Sequence, residues 1–400
     1  MNINEHMIAT MRAATQALRD GSKNGRPSGA RGAAEAIQRA LKKFMPNGAG
    51  SANTPHQPVM RDINPPPQTE GREAEAGNNF VTDLLQGLHL PLDSDFPSFA
   101  LPGLHTHPMA DTEPEPDPLA AGRFIAGSYT NRFGTRSYKL YIPTTYHGQS
   151  LPLLVMLHGC TQNPDDFAAG TRMNAIAEEK QCFVVYPSQA QSANHSRCWN
   201  WFNALDQQRD QGEPSIIAGI TRDVIKTYHI DERQVFIAGL SSGGAMSVIM
   251  ATAYPDLYAA VGIHSGLPYA SAQDLPSALA AMKGGAAGST ASPRIKGIPI
   301  IVFHGDRDQT VHPRNSDQII AQSLAGGTAA QASTEQGKQP NGRAYKRTVH
   351  RDTHGHAVAE HWVVHGAGHA WSGGSDRGSY TDPKGPDAGR EMMRFFSTQT

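Results

Sequence analysis

Gly239-Leu240-Ser241-Ser242-Gly243 sits between the apolar run Val235-Phe236-Ile237-Ala238 and the small, helix-compatible run Gly244-Ala245-Met246-Ser247-Val248-Ile249-Met250. That order predicts a strand, a tight turn and a helix, with a serine at the apex. A side chain at either outer glycine would collide with the neighbouring strand or helix, so both positions demand glycine. The turn lifts the Ser241 hydroxyl above the sheet, at the positive end of the following helix. A serine presented in this way needs a general base, an acid to orient that base, and donors for a developing oxyanion. The pentapeptide alone is a weak signal, because 40 of the 400 residues are glycine. The strand and helix on the correct sides make it specific.

The chain is uneven along its length. Hydrophobic residues make up 38% and the mean hydropathy is −0.46, which predicts that part of it lies outside any packed core. Residues 1–120 are that part, an N-terminal extension. Residues 8–44 carry eight Lys/Arg against Asp20 and Glu35, with Met7, Met11, Ala14 and Leu18, then Ile37, Leu41 and Phe44, at helical spacing. Two short basic amphipathic helices are expected there. Residues 46–78 and the proline-rich, acidic residues 91–118 read as linkers around a third short helix at Asn79–Leu90. The basic helices read either as a solvated tail or as a device for docking on an anionic or apolar surface, such as a coated particle.

A net charge of −1 gives no ground for a nucleic-acid partner. No run of about 18 apolar residues predicts a membrane span. Met1–Asp20 lacks the apolar core and small-residue cleavage site of a secretory signal, so a cytoplasmic location is expected, with export as the alternative. Cys160, Cys182 and Cys198 do not have metal-ligand spacing. Cys182 opens an apolar strand and is expected as a buried thiol.

From 121 to 400, near-continuous apolar strands alternate with helices, which predicts one α/β domain with a mostly parallel sheet covered on both faces. Strands are expected at Phe124–Arg132 and Ser137–Ile142 (an antiparallel pair), Leu153–Leu157, Cys182–Tyr186, Val235–Ala238, Ala259–Ile263, Ile298–Phe303 and His361–Val364. Helices are expected at Asp165–Lys180, Ser215–Tyr228, Arg314–Leu324 and Ala388–Phe396. Residues 325–345, polar and rich in Gly and Gln, read as a surface excursion. His350, His354, His356 and His361 read as an exposed hairpin turning at Gly355 rather than as a metal site, and the chemistry requires no metal or cofactor.

An α/β-hydrolase supplies its catalytic groups in the order Ser, Asp or Glu, His. After Ser241 the next strong strand runs into His304-Gly305-Asp306-Arg307-Asp308-Gln309-Thr310-Val311. Asp308 is the expected acid, and Asp306 a turn aspartate that caps backbone N–H groups. The last strand runs into His365-Gly366-Ala367-Gly368-His369-Ala370-Trp371. His369, on a glycine-bounded loop, is the expected base, and His365 the packed neighbour. His369 would take the Ser241 proton and return it to the leaving group, while Asp308 fixes the imidazole tautomer. The oxyanion donors are expected to be the backbone N–H groups of Ser242 and of Cys160 in Leu157-His158-Gly159-Cys160-Thr161-Gln162. The Cys160 side chain is a bystander.

Together these segments resemble the poly(3-hydroxybutyrate) depolymerase-type esterases, a branch of the α/β-hydrolases close to feruloyl and acetylxylan esterases. The residues that carry the resemblance are L-H-G-C-T-Q at 157–162, C-W-N-W-F at 198–202, G-L-S-S-G-G-A-M at 239–246, H-G-D-R-D-Q-T-V at 304–311 and G-A-G-H-A-W-S-G-G at 366–374. It spans roughly residues 121–398. It implies hydrolysis of hydroxyalkanoate polyesters or oligomers through an acyl-serine, with plant cell-wall esters as the alternative substrates. A granule-bound protein in which the N-terminal helices dominate is the rival outside enzymology. Many relatives are extracellular. Trp199, Trp201, Phe202 and Trp371 are expected as an apolar wall for the acyl chain, and Asn200 and Asn203 as holders of ester carbonyls. Cys160 and Cys198 both fall in these segments and are expected to pair, although a cytosolic location would oppose it.

Overall fold

Along Leu151–Leu157, side chains 153, 155 and 157 enter one apolar core, and 154 and 156 the other. The same alternation recurs at Val235 and Ile237 against Phe236 and Ala238, and at Ile300 and Val302 against Ile301 and Phe303. A strand that is apolar on both faces belongs in the middle of a covered sheet. The computed structural model describes residues 120–285, 297–325, 327 and 329–399. The helices and linkers expected before residue 120 lie outside them.

In chain order the strands are Arg123–Asn131 (β1), Gly134–Ile142 (β2), Leu151–Leu157 (β3), Phe183–Pro187 (β4), Ile230–Leu240 (β5), Ala260–His264 (β6), Ile300–Gly305 (β7), Gln331–Lys338 (β8), Ala344–Arg351 (β9) and Ala357–Val364 (β10), with the short pair Trp371–Ser372 (β11) and Thr381–Asp382 (β12). The helices are Pro164–Thr171 (α1), Met173–Lys180 (α2), Gly212–Thr227 (α3), Ser242–Ala253 (α4), Leu275–Gly284 (α5), Arg314–Leu324 (α6) and Ala388–Phe396 (α7). The sheet runs β1-β2-β4-β3-β5-β6-β7-β10-β9-β8. The six strands from β4 to β10 in that order are mutually parallel, and an antiparallel pair closes each edge. Helices α3 to α6 pack on one face and α1, α2 and α7 on the other. This is the α/β-hydrolase fold. No helix among the described residues is long and apolar enough to cross a membrane.

Three expectations need correction, and one helix was not expected. The single helix expected at Asp165–Lys180 is broken at Arg172, which is left-handed at φ 55°. Gly170 and Thr171 precede the break, and the Thr171 hydroxyl donates back to the Phe167 carbonyl at 2.7 Å, a local competitor for helix continuation. Residues 325–345 are not merely an excursion, because 331–338 form edge strand β8, antiparallel to β9. Its side chains are almost all exposed, so no apolar alternation marks it. The β9–β10 hairpin does turn at Gly355 (φ 86°), but His361 is buried, with Nε2 3.0 Å from Ser316 Oγ. Helix α5 had no expectation, although Asp274-Leu275-Pro276-Ser277 is a capping box with Pro in the first turn.

Candidate active site

Four loops at the carboxyl ends of β3, β5, β7 and β10 build the site, all on one edge of the parallel core. Ser241 follows β5 directly and caps α4 with φ 57° and ψ −120°, outside the regions that L-residues ordinarily occupy. Its N–H donates to the His264 carbonyl at 2.9 Å, and its own carbonyl accepts from Ala245 N–H at 2.9 Å. A Cβ on Gly243 would lie 2.1 Å from the Leu157 oxygen and 2.5 Å from the His158 oxygen. One on Gly239 would lie 2.4 Å from the Gly243 backbone. The glycines therefore let β5, β3 and α4 converge beneath the serine.

Asp308 and His369 come together from β7 and β10, with His369 Nδ1 2.7 Å from Asp308 Oδ2. The other carboxylate oxygen accepts the backbone N–H groups of Thr310 and Val311 at 2.9 and 2.8 Å, and His304 Nε2 stands 3.3 Å from Oδ2. Burial alone would raise this carboxyl, but the His369 ring and the hydrogen bonds from His304 and His369 prevail and hold it well below the usual range. An ionised Asp308 accepts from Nδ1–H and leaves His369 Nε2 free to accept a proton. Asp306 takes the Gly366 N–H at 2.7 Å, a backbone cap as expected. It also binds His365 Nδ1 at 2.8 Å, and His365 is exposed rather than packed.

The loop after β3 is equally determined. His158 is buried, donates from Nδ1 to the Gly159 carbonyl (2.7 Å) and accepts from Gln189 N–H at Nε2 (3.1 Å). Burial lowers its pKa to about 4, so it is neutral. Gly159 N–H goes to Gln162 Oε1 at 2.9 Å, Thr161 N–H to the Ser196 carbonyl at 2.6 Å, and Gln162 N–H to the Gly159 carbonyl at 3.4 Å. Among the described residues no acceptor is hydrogen-bonded to the Cys160 N–H. A Cβ on Gly159 would be 3.5 Å from the Ser241 Cβ, so this loop borders the serine directly. Cys160 is joined to Cys198 by a disulfide, and its Sγ lies 3.4 Å from Ser242 Oγ. Cys182 is the buried thiol, pushed up to about 12 by burial.

The aromatic residues divide. Trp199 is fully buried and donates from Nε1 to the His158 carbonyl at 3.1 Å, so it supports the loop from beneath and offers no wall. Trp371 is also buried, stacked 5.2 Å from His264 and edge-on to Phe167. Trp201 and Phe202 are nearly buried too, each 5% exposed, and meet edge to face at 5.7 Å. Asn203 is exposed with its amide turned to Asp206 Oδ2 at 3.1 Å. Asn200 is spent on Glu213 and on Asn194.

Two residues had no assigned role in the sequence. His264 anchors the Ser241 N–H through its carbonyl and takes the Ser372 N–H at Nε2 (3.0 Å); burial lowers its pKa to about 3. Gln162 closes the motif 157–162, where a buried amide after a central strand is the available signal.

The model of the family described as esterase PHB depolymerase matches residues 136–339. The chain belongs to that family. It is 31% identical over 219 residues to poly(3-hydroxyalkanoate) depolymerase C of Paucimonas lemoignei, covering 51% of this chain and 52% of the relative. It is 26% identical over 200 residues to a probable acetylxylan esterase A of Aspergillus flavus, covering 46% and 64%. The chain thus spans about half to two thirds of the length of these relatives. An acetyl xylan esterase from Aspergillus awamori shares the fold at TM-score 0.52 and 22% identity, covering 68% of this chain and 99% of that one.

Proposed function

We infer that this family member is a serine-dependent carboxylic-ester hydrolase acting on poly(3-hydroxybutyrate)-like polyesters or hydroxyalkanoate oligomers. The observation that carries the reading is a strained Ser241 beside a loop whose Cys160 N–H is unspent, on the same sheet edge as the Asp308–His369 pair. In this reading the Ser241 oxygen attacks the ester carbonyl as its proton passes to His369 Nε2. The Cys160 and Ser242 N–H groups receive the oxyanion, each worth about 3–4 kcal/mol of barrier. Collapse expels the alkoxide, which leaves with the proton from His369. Water then repeats the sequence on the acyl-Ser241 ester and frees the carboxylic acid. Trp201 and Phe202 are the aromatic pair retained as candidates for the acyl chain.

The polyester assignment draws on the depolymerase relatives. The acetylxylan esterase relatives and fold neighbour support plant-wall esters as the second reading. Turnover of amorphous poly(3-hydroxybutyrate), methyl ferulate and acetylated xylan by wild type and Ser241→Ala separates them. Polymer clearing by wild type alone supports the first reading, and turnover of the plant esters alone supports the second. Turnover unchanged in Ser241→Ala overturns both. The basic N-terminal region is assigned to granule docking, which deletion of residues 1–118 tests through granule co-sedimentation. The Cys160–Cys198 bridge favours an oxidising, extracellular setting over the cytoplasm.

A further inference from the structure

We propose that Gln162, held by Asp166, is a positioning residue that leaves the Cys160 N–H as the one free donor among residues 159–162 of the loop after β3. This rests on the ester-hydrolase reading above. Four successive residues, 159 to 162, turn beside Ser241, and their N–H groups compete for acceptors. Gln162 decides the competition. Its Oε1 takes the Gly159 N–H at 2.9 Å. Its Nε2 faces Asp166 Oδ2 at 2.8 Å, the Ser379 carbonyl at 3.1 Å and the Ser379 hydroxyl at 3.2 Å. An amide with an N–H on one side and a carboxylate and a carbonyl on the other has one orientation only. Gln162 is 2% exposed, so water does not substitute for it.

Asp166 also receives the Ser379 N–H at 2.8 Å and the Ser379 hydroxyl at 2.6 Å. Next along the chain, the Tyr380 hydroxyl lies 3.1 Å from Thr161 Oγ1. A Cβ on Gly378 would lie 2.4 Å from the Asp166 carbonyl and from Gly170 N, so the two chains touch through glycine. Ser379 lies ten residues beyond His369 in the sequence. One carboxylate therefore ties the segment that follows the base to the loop that would receive the oxyanion. If the Gln162 amide loses its anchor, the Gly159 N–H loses its acceptor and the peptide carrying the Cys160 N–H turns.

Gln162→Glu keeps an acceptor for Gly159 but sets a second carboxylate against Asp166. Pairing it with Asp166→Asn restores a donor and an acceptor between the two side chains with reversed polarity and leaves only the Ser379 carbonyl without its donor. With p-nitrophenyl butyrate, the expected result for Gln162→Glu is a kcat about 100-fold lower, the loss of one oxyanion donor, with KM within about twofold. Affinity for a trifluoromethyl ketone, which captures the serine as a tetrahedral adduct, should fall by the same factor. The double variant should recover at least tenfold in both. Asp166→Asn alone, at a partly exposed position, should show the same signature more weakly and serves if Gln162→Glu does not fold. Unchanged kcat and ketone affinity in both single variants would overturn the proposal. So would a loss that the double variant leaves unrepaired. Ser241→Ala is run beside them; if it keeps turnover, the ester-hydrolase reading itself has failed.

Discussion

Ser241 occupies a backbone conformation that costs about 1–3 kcal/mol for a residue with a side chain, so its surroundings must over-determine it. Gly243 is where they do so most tightly, because the atoms a Cβ would meet are the backbone oxygens of Leu157 and His158. Gly243→Ala should destabilise the protein by about 3 kcal/mol and lower kcat by displacing both the serine and the adjoining loop; urea unfolding and ester kinetics would check it. Asp308→Asn should keep the Thr310 and Val311 contacts but present an N–H to His369 Nδ1, forcing the proton onto Nε2. Turnover should then fall about 10⁴-fold with KM little changed, and a loss under tenfold would remove Asp308 from its role. Both residues were legible in the sequence because glycine spacing and the position of a polar residue after an apolar strand are local properties. The burial of Trp199 and Trp371 was not, since a tryptophan beside a loop motif reads the same whether it lines a cleft or supports one.

At the scale of elements, the disulfide ties the loop after β3 to the segment carrying Trp199 and Trp201. Denatured, unreduced protein should therefore titrate one thiol, Cys182, and three after reduction. The bridge closes a span of 38 residues, for which constraint of the unfolded chain predicts about 3–4 kcal/mol. Cys160→Ser with Cys198→Ser should lower the urea midpoint accordingly. Strands and helices facing a core were readable from periodicity, as in α6 and α7, whose expected and observed limits coincide. Strand β8 was not, because solvent lies on both of its faces and only its pairing with β9 makes it a strand.

For the whole molecule, stability should depend on buried neutral histidines. His158 and His361 are lowered to about 4 and His264 to about 3, chiefly by burial. Once unfolded, each takes up a proton below about pH 6.5, whereas the native state does not until near 4 or 3. The unfolded state thus binds more protons in that window, and stability falls as pH falls, by up to about 1.4 kcal/mol per unit for each histidine. Glu213 works in the opposite sense. Burial and neighbouring Asp206 raise it, although Gln189, Asn200 and Arg136 all donate to its carboxylate and hold it back. Urea midpoints should drop between pH 6.5 and 4.5, and more steeply in Glu213→Gln; a flat profile in both would contradict these assignments.

The sequence by itself determined the α/β alternation, the elbow and the order Ser241, Asp308, His369, because each is written in neighbouring residues and in the chain direction that parallel strands share. Tertiary structure alone decided which loop N–H stays unspent, which aromatic residues are buried, that Asp166 reaches Ser379 and that His264 anchors Ser241. Those outcomes depend on contacts between residues from a few to more than two hundred positions apart, where a side chain's role is set by the partner the fold brings to it.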